Sequence, residues 1–342
     1  MHRIAAAFLL STLVVGPVMA AQLSPDRHLL VLKSGGVTVG LLPRLGGRVV
    51  LLSRAGGENI LLSATAYWDP STPSPSLTPS WDYPPVNGHI VWCGPQKEWW
   101  IHQDLDAEKR SRADNWPPDP YLEFAPFEVM GKSKTSVEMR GPASPVNGLR
   151  LTKRVGIGRD GRVSLEVRAE NTRNTDVAWD LWPNTRLPGD VRIYVPLAPG
   201  TSVKIEHGSG DPWKQEVLEY DVVDGFFTWL SREPIPEGKI CRVGKAFLTP
   251  GRGLIAAFRG NSVFVKRFAP ALRADVHPDQ GVVEIFNQVS RNPAETFLEA
   301  ELHGAYRKLK PGEAMEVKET WEVREYRGPD DPRSHAAFLK GL

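Results

Sequence analysis

The sequence predicts an all-β protein, a sandwich of antiparallel sheets, and three observations support this fold class. Segments in which every second residue is apolar recur along the chain, as in Arg162–Glu170. Turns rich in Gly, Pro, Asn and Asp separate these segments. Apolar residues at helical spacing occur only in a short stretch near His335–Leu339. Many strands with few helices favour packed antiparallel sheets.

The alternating segments define the predicted strands. They are His28–Lys33, Gly36–Leu42, Arg48–Arg54, Ser136–Arg140, Leu149–Val155, Arg162–Glu170, Val191–Val195, Lys239–Leu248, Leu254–Arg259, Ser262–Phe268, Val282–Asn287, Thr296–His303 and Ala314–Arg324. A single β sandwich can exceed roughly 200 residues. We therefore expect one domain over residues 21–342.

The first twenty residues have the features of a signal peptide. Arg3 precedes the apolar run Ile4–Val15, and small residues surround Ala20. This run is shorter than the roughly 20 residues that a membrane-spanning helix needs, and no later segment is longer. No cysteine follows Ala20 to accept a lipid. We expect residues 1–20 to be removed and the mature protein to be periplasmic or secreted, without membrane insertion.

The composition argues against several classes of function. Without Arg3, 41 of the 42 basic residues remain against 40 acidic ones; since both signs are interspersed, we expect no nucleic-acid partner. Cys93 and Cys241 are too few for a disulfide scaffold or a cysteine zinc cluster, although an oxidising compartment permits one bridge between them. The glycines of Gly156–Gly161 join two predicted strands, which indicates a turn rather than a dinucleotide site. We expect no metal and no cofactor.

One long region departs from the strand pattern. Ala64–Pro120 is rich in Pro and contains six of the 11 tryptophans. Irregular segments of this length are either disordered or functional, and disorder is disfavoured where large aromatic residues are dense. The sequence therefore predicts an ordered, Pro- and Trp-rich loop layer over one face of the sandwich.

Aromatic and polar residues alternate in this loop layer in a way typical of carbohydrate sites. Trp92 and Trp99 flank Gln96. A pyranose ring presents C–H bonds that stack on an indole, whereas amides and charged groups bind its hydroxyls. We expect these three side chains to bind a carbohydrate. The alternative is that the tryptophans only cover the core of the sandwich.

Three stretches of the chain resemble the galactose-mutarotase-like proteins and, more narrowly, a bacterial family catalogued as domain of unknown function 4380. They are Gly46–Val50, Trp92–Gln96 with Trp99 and Pro117–Asp119, and Phe297–Glu301 with Leu309–Glu313 and Trp321. The resemblance runs over residues 28–325 or so. It implies a β-supersandwich of antiparallel sheets with a sugar groove on one face.

The resemblance also implies catalytic candidates. In the sugar epimerases of this fold, a glutamate late in the chain takes the proton of the anomeric hydroxyl and a histidine protonates the ring oxygen. Glu299 occupies the matching position, and Glu301 shares its strand face. The matching central strand, Trp179–Arg186, contains no histidine. His89 in the loop layer is therefore the candidate acid, because imidazole titrates near neutral pH.

Three basic residues complete the candidate site. Arg186, Lys245 and Lys266 lie on or beside predicted strands, at positions where the resembling family is often basic. If they line the groove, they favour an anionic sugar such as a uronate, because charge-assisted hydrogen bonds to a carboxylate are strong. The alternative is that all three face solvent.

Taken together, these features predict an exported carbohydrate-binding protein that acts, if it is catalytic, as an aldose 1-epimerase-like isomerase. Two alternatives stay open. One is a polysaccharide lyase or hydrolase, because related sandwiches occur in such enzymes. The other is a non-catalytic sugar-recognition or envelope module, which the missing central-strand histidine favours.

Overall fold

The computed structural model describes residues 29–78, 83–207, 214–215, 219–230, 235, 237–238 and 241–342. The predicted signal peptide, residues 1–20, lies outside the described residues. Within the described part of the chain, every helix is too short or too polar to cross a lipid bilayer. The expectation of one domain over residues 21–342 stays a prediction.

The strands and helices have the following bounds in chain order. The strands are β1 (Leu30–Ser34), β2 (Val37–Leu42), β3 (Arg48–Arg54), β4 (His89–Gly94), β5 (Glu128–Lys132), β6 (Ser136–Ala143), β7 (Leu149–Ile157), β8 (Val163–Asn171), β9 (Val177–Pro188), β10 (Arg192–Pro196), β11 (Lys204–His207), β12 (Lys214–Gln215), β13 (Asp221–Val223), β14 (Phe226–Leu230), β15 (Cys241–Leu248), β16 (Leu254–Arg259), β17 (Ser262–Phe268), β18 (Val283–Ser290), β19 (Phe297–Leu302), β20 (Arg307–Leu309) and β21 (Ala314–Glu325). The α-helices are α1 (Ala107–Arg112), α2 (Pro120–Phe124) and α3 (Pro332–Lys340), and the 3₁₀ turns are Thr65–Trp68, Gln96–Glu98, Arg273–Asp275 and Pro293–Glu295.

The strands form two large sheets, which confirms the predicted all-β fold class. The first sheet has the order β1-β2-β3-β4-β9-β19-β18-β15-β11, with β12 paired to β15 and β20 to β9. The second sheet has the order β13-β14-β10-β16-β17-β21-β8-β7-β6-β5. The pairs are antiparallel except for β12 with β15. The sheets pack as a sandwich, and α3 lies over Tyr194 and Phe258 on the outside of the second sheet.

The main core lies between the sheets and follows from the alternation in the sequence. On β8 the apolar residues Val163, Leu165 and Val167 are buried, while the polar residues between them are more exposed. On β19 the residues Leu298 and Ala300 belong to the same core cluster. Burying an aliphatic side chain of this size contributes about 1.5–3 kcal/mol. This free energy of burial determines which face of each strand points toward the core.

The Pro- and Trp-rich region contains a strand that alternation does not predict. β4 pairs with β9, with Trp92 opposite Trp182. All six residues of β4 are buried, because the sandwich interior covers one face of the strand and the loop layer covers the other. A strand that is buried on both faces needs no polar residues and so shows no alternation.

The other described residues of this region form an ordered loop layer, in which indole N–H groups donate hydrogen bonds to backbone carbonyls. Nε1 of Trp99 donates to the Cys93 carbonyl at 2.6 Å. Nε1 of Trp100 donates to the Pro117 carbonyl at 2.7 Å. Both tryptophans are buried. The predicted ordered loop layer is therefore present, over the face of the first sheet that points away from the second.

Cys93 and Cys241 are not joined by a disulfide. Cys93 lies on β4 and Cys241 begins β15, with β9, β19 and β18 between those strands. Adjacent strands lie about 4.8 Å apart, so four spacings amount to roughly 19 Å. A disulfide requires Cα atoms within about 7 Å of each other. The bridge that the sequence permits is excluded by the strand order.

Candidate functional site

A cavity of about 380 Å³ lies between the first sheet and the loop layer. The structure brings seven of the nine predicted site residues to its walls, namely Trp92, Gln96, Trp99, Arg186, Lys245, Glu299 and Glu301. Residues that the sequence did not single out complete much of the lining, namely Trp116, Trp182, Glu206, Phe286, Gln288 and Phe297. Strands β9, β19, β18 and β15 carry most of these side chains.

The period-two geometry of strands explains why these residues meet. Phe297, Glu299 and Glu301 of β19 all line the cavity, whereas the intervening Leu298 and Ala300 belong to the core. The registry then sets the partners across strands. Glu299 lies opposite Arg186, and Glu301 lies opposite Asn184. A single face of four adjacent strands therefore forms the polar floor.

Tryptophans form the apolar wall of the cavity. The ring of Trp92 packs edge-on against Trp182, with centroids 5.1 Å apart, and against Trp99 at 5.7 Å. Trp99 in turn contacts Trp116 at 6.5 Å. Nε1 of Trp92 donates to the buried carboxylate of Glu123. These contacts hold the indoles in fixed orientations, which lowers the entropic cost of stacking a ligand on them.

Arg186 and Glu299 form the first ion pair of the cavity floor. Nε of Arg186 lies 2.7 Å from Oε1 of Glu299, and Nη1 donates to Oδ1 of Asn87 at 2.9 Å. Burial opposes the charge of the guanidinium, but Glu299 outweighs burial and raises the pKa of Arg186. Arg186 therefore stays charged and holds Glu299 in place with a charge-assisted hydrogen bond.

Lys245 lies between two carboxylates. Its Nζ is 2.6 Å from Oε2 of Glu284 and 2.9 Å from Oε2 of Glu301, and it lies 4.4 Å from the centroid of the Trp182 ring. Burial opposes the ammonium charge, but Glu284 and Glu301 outweigh burial and raise the pKa of Lys245. Lys245 is therefore a permanent cation of the cavity floor.

Glu301 is the most enclosed carboxyl group of the floor. Its side chain has 0% exposure, and Nδ2 of Asn184 donates to its Oε1 at 2.8 Å. Burial raises the pKa of Glu301 to about 8, with Glu299 and Glu284 adding repulsion and Lys245 opposing the shift. A large part of Glu301 is therefore protonated at neutral pH.

His303, which was not predicted from the sequence, lies on the cavity face, where its ring contacts that of Trp182 with centroids 4.8 Å apart. Its Nδ1 is 3.4 Å from Oδ1 of Asp180, and its Nε2 is 3.4 Å from Oε1 of Glu284. Burial alone would lower the pKa of His303, but Glu284 and Asp180 together raise it to about 9. The side chain is therefore an imidazolium. The period-two series Glu299, Glu301, His303 was the signal that could have revealed it.

His89 does not reach the cavity. It lies three residues before Trp92 on β4, and residues three apart on a strand face opposite sides. Its Nδ1 is 2.9 Å from Oγ1 of Thr185, and its ring packs edge-on against Trp321 at 4.8 Å. Burial holds the pKa of His89 well below its usual range, and nearby cations such as Lys266 add to this effect. His89 is thus a neutral group between the sheets.

Lys266 also lies between the sheets rather than in the cavity. It belongs to β17 of the second sheet and is fully buried. Its Nζ donates to the Ala300 carbonyl at 3.1 Å and pairs with Oε1 of Glu319 at 3.2 Å. Burial lowers the pKa of Lys266, and Glu319 only partly opposes this. Lys266 therefore contacts β19, the strand that carries Glu299 and Glu301, from the side opposite to these two glutamates.

None of the described residues form a group of three or more His, Cys, Asp or Glu side chains that could hold a metal ion. Asp180 and Glu284 each lie 3.4 Å from a ring nitrogen of His303. Both ring nitrogens of His303 therefore contact a carboxylate oxygen, and the ring is protonated. A protonated ring nitrogen has no lone pair for a metal.

Comparisons with known proteins agree with the fold. A galactose mutarotase-like protein from Lactobacillus casei ATCC 334 has a TM-score of 0.56 and 10% identity, over 86% of this chain and 100% of that one. A galactose mutarotase-like protein from Clostridium acetobutylicum has a TM-score of 0.51 and 9% identity, over 89% and 97%. No curated protein sequence matches significantly. Because residues 28–324 match the family profile, the chain belongs to the family described as a domain of unknown function, DUF4380, and has a galactose-mutarotase-like fold.

Proposed function

We propose that the cavity binds a carbohydrate and that the protein is an aldose 1-epimerase-like isomerase, which interconverts the two anomers of a reducing sugar. One observation carries this proposal. The polar floor with Glu299 and the wall of tryptophans share one cavity on a sheet of mutarotase-like fold. The likeness in fold raises the expectation, but the argument for activity depends on the side chains of the site.

The size and chemistry of the cavity suit a monosaccharide. Small-molecule sites measure about 300–1,000 Å³ and combine apolar walls with a few polar groups, and this cavity lies near the lower end of that range. The tryptophan wall offers apolar surface to the C–H bonds of a pyranose. Gln96 and Gln288 line the cavity and offer amide groups to its hydroxyls.

The charges of the floor favour a neutral sugar. Arg186 and Lys245 line the cavity as the sequence analysis expected, but each already has carboxylate partners at 2.9 Å or less. A uronate would have to compete with those carboxylates, and it would add a negative charge to a floor that already carries more carboxyl groups than cations. We therefore propose a neutral reducing sugar in place of the anionic sugar that the basic residues alone favour.

Glu299 is the base of the proposed reaction. Its carboxylate takes the proton of the anomeric hydroxyl, the C1–O5 bond breaks, and an open-chain aldehyde forms. Rotation about the C1–C2 bond and closure of the ring give the other anomer. The ring oxygen needs a proton when the ring opens and returns it when the ring closes, so a second group must act as proton donor.

The test is proton NMR of the mature protein with a panel of neutral and acidic sugars. Saturation transfer reports binding, and exchange between anomeric signals reports catalysis in the same sample. We expect Glu299→Gln to reduce catalysed exchange by at least about 100-fold while binding is kept, since general base catalysis contributes about 10²–10⁴. Glu138→Gln, a surface glutamate paired with Arg154, is the matched control.

Two results would reject this assignment. Catalysed exchange that is equal in the wild-type protein and in Glu299→Gln excludes Glu299 as the base. Binding without any exchange in the wild-type protein favours the alternative of a sugar-recognition module. That alternative has one structural observation in its favour, since no histidine is among the described residues that line the cavity.

We also propose that the protein acts in the periplasm or is secreted. The support is the sequence of residues 1–20, with Arg3 before an apolar run and small residues around Ala20. N-terminal sequencing of the protein recovered from the periplasm or the medium should give a chain that begins near Ala21. Recovery of the intact chain in the cytoplasm alone would count against export.

A further inference from the structure

We infer that Glu301 is the proton donor of the reaction, in place of the histidine that the epimerases of this fold use. This inference rests on the proposed function and adds the identity of the second catalytic residue. It assigns the acid and the base to two glutamates on one face of one strand, β19.

The positions of Glu299 and Glu301 suit an acid and a base that act on one substrate. Glu299 and Glu301 are two residues apart on β19 and both line the cavity. Two residues along a strand span about 6.6 Å, which places two side chains of the same face on either side of a bound hemiacetal centre. Proton removal at the anomeric hydroxyl and proton delivery at the ring oxygen need two such groups facing one substrate.

Few of the side chains that line the cavity can release a proton near neutral pH. The described lining residues include no His, Tyr or Cys. Arg186 and Lys245 hold their protons more tightly than usual, because their carboxylate partners raise their pKa values. Glu206 is more than half exposed and pairs with Lys204 at 2.6 Å. Glu299 is the base, so Glu301 remains.

The charge balance of the buried cluster also favours a protonated carboxyl group. Contacts connect Asp180, His303, Glu284, Lys245 and Glu301 in a row. This row contains two cations and three carboxyl groups. A net buried charge is costly, so one of the three carboxyl groups should carry a proton.

The contacts identify Glu301 as the carboxyl group that carries this proton. Glu284 contacts both cations, Lys245 and His303. Asp180 contacts His303 and also accepts a hydrogen bond from the Gly94 backbone N–H at 3.1 Å. Glu301 contacts one cation, Lys245, and accepts a hydrogen bond from Nδ2 of Asn184. It also lies directly opposite Glu284 and two residues from Glu299 on the same strand face, so two neighbouring carboxylates oppose a negative charge on Glu301. Burial acts in the same direction and raises the pKa of Glu301 to about 8.

The charged groups around Glu301 come from every neighbouring element. Lys245 faces it from β15, Glu284 from β18, Glu299 from its own strand, and Arg186 lies on β9 beyond Glu299. Lys266 lies behind β19, on the other side of the sheet. The cations and the amide N–H of Asn184 favour ionised Glu301, but the cations on the cavity side are shared with Glu284 and Glu299.

The proton transfers balance without any further reactant. In ring opening, Glu299 accepts the proton of the O1 hydroxyl, the O1 electrons form the C1=O bond, and the C1–O5 bond breaks. O5 then takes the proton of Glu301. The new Glu301 carboxylate is stabilised by Lys245, whose Nζ is 2.9 Å away. Ring closure after rotation about C1–C2 reverses each transfer, so both glutamates return to their starting states.

The first test measures catalysed anomeric exchange and saturation transfer with neutral hexoses, from pH 6 to pH 10. The proteins compared are the wild type, Glu301→Gln, Glu299→Gln and the control Glu138→Gln. Because an amide cannot deliver this proton, we expect Glu301→Gln to reduce exchange at pH 7 by about 10²–10⁴ with affinity changed less than threefold. Wild-type exchange should decline as the pH rises through about 8, where Glu301 loses its proton.

The second test uses only the wild-type protein, so its result does not depend on whether a variant folds. Carbon NMR of the wild-type protein with labelled glutamate carboxyl groups should show one carboxyl group that titrates near pH 8. If every glutamate carboxyl titrates below about pH 6, the assignment of Glu301 is wrong.

The outcomes separate this inference from the proposed function. Exchange that is lost in Glu299→Gln but normal in folded Glu301→Gln keeps the epimerase and rejects Glu301 as donor. Absence of exchange in the wild-type protein rejects both. If exchange is lost in Glu299→Gln and in Glu301→Gln but kept in Glu138→Gln, and if wild-type exchange declines above pH 8, the proposed function and the assignment of Glu301 are both supported.

Discussion

Buried charged side chains lie on both faces of the first sheet, and the two groups differ in how burial changes them. On the cavity face, carboxylates raise the pKa values of Lys245 and His303, so both stay charged. Between the sheets, burial lowers the pKa values of Lys266 and His89. The same residue types are therefore cations on one face and far closer to neutral on the other.

The reason is the local balance of partners. Lys153, also between the sheets, has its pKa lowered to about 7 by burial with added repulsion from Arg48, and its Nζ donates to the Gly46 carbonyl at 2.6 Å. Carbonyl oxygens can stabilise a neutral amine as well as an ammonium. On the cavity face carboxyl groups outnumber cations. A shifted pKa indicates a functional site when a specific charged partner in a cavity causes the shift, rather than burial alone. Here this condition holds for the cavity face, which is therefore the candidate functional site.

The largest expected effect concerns the two lysines on opposite faces. Lys245→Met leaves Glu284 and Glu301 without their shared cation, so we expect catalysed exchange to fall by at least about 100-fold and stability by about 3–5 kcal/mol. Lys266→Met is the matched change between the sheets, and we expect it to keep exchange within about threefold. Anomeric exchange and urea unfolding measure these effects. If folded Lys245→Met and folded Lys266→Met lost exchange to the same extent, the two faces of the first sheet would not differ in function.

The next effect is a pH-dependent stability from His303. Its pKa is about 9 in the folded protein, against about 6.5 unfolded, a difference equivalent to roughly 3 kcal/mol. Because the folded pKa is raised, this contribution is complete below about pH 6.5 and is lost as the pH rises through 9. We expect the difference in unfolding free energy between wild type and His303→Gln to shrink from pH 6 to pH 10. A constant difference would show that His303 is not charged.

A smaller effect concerns the tryptophan wall. Trp99→Ala removes one indole from the cavity, and we expect sugar affinity to fall about tenfold, since an aromatic contact contributes roughly 0.5–1.5 kcal/mol beyond its buried area. Trp229→Phe is the control, because Trp229 is buried in the core and does not line the cavity. Saturation-transfer titrations would measure both. Unchanged affinity in Trp99→Ala would exclude stacking on this wall.

The smallest expected effect concerns His89. His89→Gln keeps a polar group near Thr185, and we expect exchange within about twofold of wild type and a stability loss of about 1 kcal/mol for the lost hydrogen bond. The measurement is anomeric exchange at pH 7. A loss of 100-fold or more with intact binding would make His89 the proton donor and contradict the assignment to Glu301.

Local sequence patterns predicted most of the strands, because a strand with one buried face must alternate. β8 and β21 are examples. The same logic failed for β4, because both of its faces are covered and the consecutive residues Ile90, Val91, Trp92 and Cys93 are all apolar. The candidate residues on β9, β15 and β19 were found through the resemblance to the galactose-mutarotase-like proteins. His303 continues the period-two series of Glu299 and Glu301, but it was missed because the histidine of the resembling epimerases was expected on the central strand, Trp179–Arg186.

By itself, the sequence determined the fold class, the face of β19 that carries Glu299 and Glu301, and the tryptophan-rich layer, because each depends on local alternation or composition. Only the tertiary structure decided which charges meet. Lys245, Glu284 and His303 lie on different strands or beyond strand ends, and strand order with registry brings them together. Burial then sets the charge of each group, because a pKa depends on neighbours and on access to water, and neither is encoded at a single position.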